Sequence, residues 1–218
     1  MTATPHLAPW HERFPGRLAG SVYAAPHGSR IIAAQVLSAA GLDVHVDVMA
    51  EAEGLPAGVS MAELADIVAA VGPSRVEVHL IGSPEFVDTK LLRILQVRPA
   101  KVFVPWDAFT ERRADALRAA GSSAWISLWT EWDGTVAPHW RATPDGALVM
   151  LIEPGTRNHC RVDRLGIVTA FASENPGMPV MVDGGITEDI APLCVTAGVE
   201  SMVVGRALLP APANGEEE

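Results

Sequence analysis

An α/β chain folded as a single (β/α)8 barrel, a TIM barrel, is what this sequence predicts, and three observations carry it. Short apolar segments alternate with helical patterns along the chain. Eight such segments can be counted. The length, 218 residues, lies near the lower limit for eight strand–helix units. The rival architecture, an open doubly wound sheet, usually carries a glycine-rich dinucleotide turn after its first strand. Here that turn reads Ala24-Ala25-Pro26-His27-Gly28-Ser29, with no GxGxxG, so no nucleotide cofactor is expected.

Taken in order, residues 1–16 read as a loose arm whose Trp10-His11-Glu12-Arg13-Phe14 stretch covers one end of the fold. Residues 18–24 are a strand and 29–40 a helix stopped by Gly41. Residues 43–49 form the second strand, with Val44, Val46 and Val48 on one face and Asp43, His45 and Asp47 on the other. A helix over 60–70 opens on a Ser60/Glu63 capping box and stops at Gly72-Pro73. Strand 75–81 leads to a helix from Ser83-Pro84-Glu85 to about Gln96, with proline in the first turn. Strand 101–106, helix 107–120 and strand 124–129 follow. Residues 130–145 contain Pro138 and Pro144, which leave room for a short helix at most. Strand 147–152, helix 161–173, strand 179–183, a helix over 187–197 capped by Thr187, and strand 201–204 complete the pattern. The count is eight strands and seven or eight helices in strict alternation. The division expected is an arm at 1–16, a catalytic barrel at 17–209 and a frayed acidic tail at 210–218.

Composition narrows the function. With 49% apolar and 19% charged residues, the chain can build a sizeable core. A net charge of −10 excludes a uniformly basic surface, so neither nucleic acid nor an anionic membrane is the expected partner, while a local basic pocket remains allowed. No apolar run approaches the ~20 residues of a membrane span. The N-terminus lacks the basic-then-apolar pattern of a secretory signal, and Cys160 and Cys194 make no disulfide framework, so a cytoplasmic protein is expected. No outer helix shows a clear apolar face, which leaves homo-oligomerisation open. There are two lysines, Lys90 and Lys101, against fourteen arginines, so lysine chemistry has few candidates.

Active sites of such barrels lie at the C-terminal ends of the strands. Strand two offers His45 and Asp47, two apart and so on one face. Strand three offers His79, strand seven Asp183 and strand one Ser21. Two imidazoles and two carboxylates at one barrel mouth suit a divalent transition ion such as Zn²⁺, Fe²⁺, Mn²⁺ or Co²⁺.

These residues sit in blocks with a recognisable likeness. His45-Val46-Asp47-Val48-Met49, Glu77-Val78-His79-Leu80, Met150 through Glu153-Pro154-Gly155, Val182-Asp183-Gly184-Gly185-Ile186 and Val204-Gly205-Arg206-Ala207 resemble the ribulose-phosphate 3-epimerase family. Its members carry HVDVMDG, DVHLM, VMxVxPGFGGQ, VDGGI and VAGSA in that order. The resemblance spans about residues 18–209. It implies His45, Asp47, His79 and Asp183 as ligands of one divalent transition metal ion, with Asp47 and Asp183 as the acid/base pair. It implies a sugar phosphate as substrate, by default the D-ribulose 5-phosphate/D-xylulose 5-phosphate pair. It places Ser21, Met49, Met150, Gly155, Gly184, Gly185 and Gly205 against that substrate.

The chain departs from the family pattern after strands two, six and eight. Ala50-Glu51 replaces the Asp-Gly after strand two. Thr156-Arg157-Asn158-His159 replaces the glycine-rich loop after strand six, and Arg206 stands where the family has serine. Either Arg157 and Arg206 make the phosphate contact as charged forks, or the substrate is another ketose or hexulose phosphate. Another metal-dependent enolising or lyase reaction and a non-catalytic binding paralogue are the remaining alternatives. Trp106, Trp129 and Trp132 either face a sugar or pack beneath the loops, and His139 and His159 are further mouth-side candidates. Lys101 starts its strand at the far end of the barrel and Lys90 lies mid-helix. Schiff-base chemistry is therefore not expected, and the Asp-x-Lys-x-x-Asp strand of the related decarboxylases and hexulose-phosphate synthases is missing.

Overall fold

The computed structural model describes residues 5–136 and 138–210, so the predicted acidic tail lies outside the described residues from position 211 onward. Eight parallel strands among those residues close into a barrel in chain order. They are β1 (Leu18–Ser21), β2 (Asp43–Met49), β3 (Val76–Ile81), β4 (Lys101–Pro105), β5 (Ser123–Leu128), β6 (Ala147–Met150), β7 (Val180–Asp183) and β8 (Ser201–Val204), with β8 pairing back to β1. The (β/α)8 prediction holds.

Strand alternation divides the core in two. Val44, Val46, Val48, Val78, Leu80, Val102 and Val104 point outward under the helices, each fully or almost fully buried. Ala19, Phe103, Trp125, Leu148, Met150, Met181 and Val203 fill the barrel interior. Each large side chain so buried contributes roughly 1.5–3 kcal/mol of transfer free energy. The outer layer is α1 (Arg30–Ala39), α2 (Met61–Val71), α3 (Pro84–Val97), α4 (Glu111–Ala119), α5 (Leu165–Glu174) and α6 (Ala191–Thr196).

These are six α-helices among the described residues, not seven or eight, so the alternation is not strict. No described residue between β5 and β6 is helical. Prolines at 138 and 144 remove donors there, and Trp132 and Trp140 pack on Phe171 of α5 in place of a helix. β1 ends at Ser21, because Val22–Ala24 turns tightly at the rim, with the Ala25 N–H donating to the Val22 carbonyl at 3.0 Å. The fifth helix begins at Leu165 rather than 161, and the sixth is confined to Ala191–Thr196.

Two predicted caps are realised in altered form. Ser60 Oγ accepts from the Glu63 N–H at 3.1 Å, but the Glu63 carboxylate does not complete the box; it accepts from Arg30 Nη1 at 3.2 Å instead. Thr187 accepts from the Ile190 and Ala191 N–H groups through its main-chain carbonyl, while its hydroxyl is buried without a partner among the described residues. The described part of the N-terminal arm is docked rather than loose. Trp10 and Phe14 are buried edge-to-face, Trp10 Nε1 donates to the Ala207 carbonyl at 3.0 Å, and the Ala8 N–H donates to the Leu208 carbonyl at 2.9 Å. No helix among the described residues is long and apolar enough to cross a membrane.

Candidate metal centre and substrate cavity

His45, Asp47, His79 and Asp183 converge inside the barrel. One potential ligand atom from each lies within 4.8 Å of all the others. Strand register brings them there: Asp47 is paired with His79 across β2 and β3, and Asp183 ends β7. His45 Nε2 is 3.4 Å from Asp47 Oδ1 and 3.9 Å from Asp183 Oδ2. His79 Nδ1 is 3.5 Å and 3.7 Å from the same two atoms. Both nitrogens are buried and lack a hydrogen-bond partner among the described residues. Unpaired buried nitrogens facing two carboxylates call for a cation between them. A tetrahedron with arms of ~2.1 Å has edges of ~3.4 Å, close to these separations, so the four residues fit a divalent transition ion.

The electrostatics agree with that reading. Burial pushes His45 toward the neutral form, yet the carboxylates of Asp47, Glu77 and Asp183 outweigh it and hold its pKa well above the usual imidazole range. His79 is raised in the same sense: burial opposes, and Asp183 and Asp47 prevail. For Asp47 burial alone would raise the pKa, but His45 and His79 hold it well below the usual carboxylate range. A concentration of acceptors at two imidazoles is a site prepared for positive charge.

Above this centre opens a cavity of about 490 Å³. Its walls include Ser21, Asp47, Met49, Met150, Gly155, Arg157, Asp183, Gly184, Gly185, Gly205 and Arg206, so every expected site residue faces it except the deeper His45 and His79. Ser21 Oγ donates to Asp47 Oδ2 at 2.9 Å, leaving Oδ1 toward the histidines. The chain leaves β6 at Leu151, whose N–H donates to the Asp183 carbonyl, and returns at Arg161, whose N–H donates to the Leu151 carbonyl at 2.8 Å. The excursion between them presents Thr156, Arg157, Asn158 and His159 to the cavity. Arg206 Nη2 donates to the Arg157 carbonyl at 3.2 Å, and the Arg157 guanidinium lies 5.9 Å from the centre of the Tyr23 ring. Gly184 (φ +121°) and Gly185 (φ +67°) let the turn after β7 tuck under this excursion. A Cβ at either would come within 2.8 Å of the Ile152 nitrogen or 2.7 Å of the Cys160 nitrogen.

Some expectations are corrected. No α-helix among the described residues starts directly at Gly184-Gly185 or at Gly205. α6 starts only at Ala191, and after β8 the chain makes a single tight turn in which Leu208 and Leu209 donate to the Gly205 carbonyl. Trp106, Trp129 and Trp132 pack rather than face a sugar: Trp106 against Trp140, Trp129 beneath the Arg164 guanidinium at 4.2 Å, and Trp132 against Phe171. His159 lines the cavity, whereas His139 is not among its lining residues. Lys101 is remote from the mouth, as expected.

Sequence reasoning missed Glu77, Tyr23 and Thr187. Glu77 is buried beneath His45, with Oε1 3.0 Å from His45 Nδ1 and Oε2 3.2 Å from Lys101 Nζ. The signal that could have found Glu77 is strand alternation, which puts it on the same face as His79 two residues on. Tyr23 and Thr187 carry no such periodic signal.

Comparison with known proteins adds the family. The model of the Ribulose-phosphate 3 epimerase family matches residues 17–209. No curated protein matches the chain. Among solved structures, phosphoribosyl anthranilate isomerase from Thermus thermophilus is 15% identical, with a TM-score of 0.63 and 90% of each chain covered. Orotidine 5'-phosphate decarboxylase from Pyrococcus horikoshii OT3 is 14% identical, with a TM-score of 0.59, covering 89% of this chain and 92% of the other. KGPDC from Streptococcus mutans is 13% identical, with a TM-score of 0.58, covering 89% and 90%. At such identities these likenesses show the fold.

Proposed function

The chain belongs to the ribulose-phosphate 3-epimerase family, and from that premise we propose that it is a metal-dependent epimerase inverting C3 of a ketose phosphate. D-ribulose 5-phosphate to D-xylulose 5-phosphate is the default reaction. The observation that carries this is the pair Asp47 and Asp183. They come from separate strands, share one cavity and converge on two histidines with unpaired nitrogens.

His45, Asp47, His79 and Asp183 would hold the ion. A divalent ion there supplies Lewis-acid stabilisation of the negative charge that develops on the substrate's carbonyl and neighbouring oxygen. One aspartate takes the proton alpha to the ketone, and the other returns a proton to the opposite face, which inverts the carbon. Ser21 holds Asp47 by its Oδ2 and so fixes the direction of the other oxygen. Met49 and Met150 give the cavity an apolar wall, which keeps water from the carbanionic centre. Arg157 and Arg206 reach the same cavity, and among the described residues neither is salt-bridged to a carboxylate. They are the phosphate contacts in this reading, beside the backbone at Gly184, Gly185 and Gly205.

The altered β6 excursion favours a second reading on the same chemistry. Thr156, Arg157, Asn158 and His159 fill space that glycines leave open, which suits a different ketose phosphate. One experiment separates the two. The Zn²⁺-, Mn²⁺- or Co²⁺-loaded protein is incubated in deuterated water with a panel of pentulose and hexulose phosphates. Deuterium at C3 with formation of the epimer is the expected result, and the best substrate chooses between the readings. Absence of exchange across the panel would overturn the epimerase assignment.

A further inference from the structure

The barrel floor contains a feature that the proton chemistry does not use. Ser21, His45, Glu77 and Lys101 are register partners on four successive strands, β1 to β4. Glu77 is 1% exposed and His45 is fully buried. The Glu77 carboxylate divides its oxygens, taking His45 Nδ1 on Oε1 and Lys101 Nζ on Oε2. The Lys101 ammonium also lies 5.6 Å from the centre of the Trp125 ring. Elsewhere the interior is filled by Leu148, Met181 and Phe103. A buried ion pair is no better for stability than apolar residues of equal volume, so its place here points to orientation.

We propose that Glu77, braced by Lys101, is a positioning residue that locks the His45 ring with Nδ1 down and Nε2 toward Asp47 and Asp183. The inference rests on the metal reading above. Phe103, at 5.5 Å, and His79, at 5.7 Å, restrict the plane of the His45 ring, which leaves rotation by half a turn as its remaining freedom. A carboxylate only accepts, so the Glu77 contact requires the proton on Nδ1 and presents the Nε2 lone pair to the ion. The same carboxylate–histidine–metal arrangement orients ligands in many metal sites. Lys101 does for Glu77 what Glu77 does for His45: it takes the second oxygen and holds the carboxylate in one rotamer.

Two double variants isolate the hydrogen bond, because both lack the lysine. Glu77→Leu/Lys101→Met removes the acceptor, and Glu77→Gln/Lys101→Met keeps a carbonyl oxygen for Nδ1–H. Zn²⁺ affinity is measured against a chromogenic chelator, with circular dichroism as the folding control. The leucine variant should lose about 10- to 100-fold in affinity, and the glutamine variant should stay near wild type. In the Zn²⁺-loaded glutamine variant, ¹⁵N–¹H NMR should still show a proton on His45 Nδ1. Equal, wild-type affinity in both folded variants overturns the clamp, as does loss of that Nδ1 proton in the glutamine variant, which needs no leucine variant to read. A wild-type chain that takes up no Zn²⁺ overturns the metal reading itself.

Discussion

The floor and the rim of this cavity are built in opposite ways. At the floor, His45, Glu77, His79 and Asp47 are tied by strand register and side-chain contacts, and almost nothing of them reaches solvent. At the rim, the excursion after β6 and the turn after β8 meet through a contact from Arg206 to a main-chain carbonyl, and both arginines are exposed. The floor keeps the four residues that the family pattern implies as metal ligands, with Glu77 in place of the pattern's aspartate, and the rim carries the larger departures. On the proposed function, reaction type and substrate choice would be held by separate parts, one fixed by hydrogen-bonded strands and one free to change.

The largest effect that tests this division is at the floor. Asp47→Asn and Asp183→Asn should each lower kcat by about 10²- to 10⁴-fold on every substrate of the panel, as loss of a general acid or base does. Surviving turnover in both would remove the acid/base pair. Rim changes should behave differently. Arg157→Ala and Arg206→Ala should each raise KM about 10-fold for phosphorylated substrates, a charged hydrogen bond discounted for exposure. They should leave Zn²⁺ affinity and unphosphorylated analogues unchanged; equal effects on both substrate types would break the floor–rim division.

A third expectation concerns pH and the floor alone. His45 and His79 are raised above the ordinary imidazole value of 6.5, with burial opposing and the carboxylates prevailing. Their contribution to the metal-free protein is therefore full below that value and lost as pH rises through the raised values. Asp47 is lowered from 3.8, with burial opposing and the two histidines prevailing, so its contribution is full above that value and declines as pH falls below it. The metal-free protein should have a Tm a few degrees higher near pH 6 than near pH 9. Added Zn²⁺, which needs neutral imidazoles, should stabilise more as pH rises. A parallel pH trend with and without Zn²⁺ would separate the histidines from the ion. The smallest effect is at Thr187, whose hydroxyl is buried without a partner at the cavity wall. Thr187→Val should shift Tm by no more than about 1 °C, since no hydrogen bond is lost. A KM rise confined to phosphorylated substrates would assign that hydroxyl to the rim.

The floor was more legible in the sequence than the rim for a physical reason. A strand has a period of two, so His45 with Asp47 and the inward place of His79 follow from spacing alone. The partner of Glu77 is 24 residues away, and only barrel closure sets Lys101 beside it. Loops have no period. The short turn at Val22–Ala24, the non-helical stretch after β5 and the late starts of α5 and α6 depend on tertiary contacts such as Trp132 on Phe171. The Ser60 cap was readable from its hydroxyl, whereas the turn of Glu63 toward Arg30 depends on a neighbouring helix.

The docked arm has a consequence for how the cavity wall is held. Trp10 bonds the carbonyl of Ala207, the residue after Arg206, and Ala8 bonds that of Leu208. The stretch bearing one of the two candidate phosphate-binding side chains is thus latched from behind by the opposite end of the polypeptide. On the proposed function, trimming the chain through residue 10 is expected to change KM for phosphorylated substrates, although neither Ala8 nor Trp10 lines the cavity.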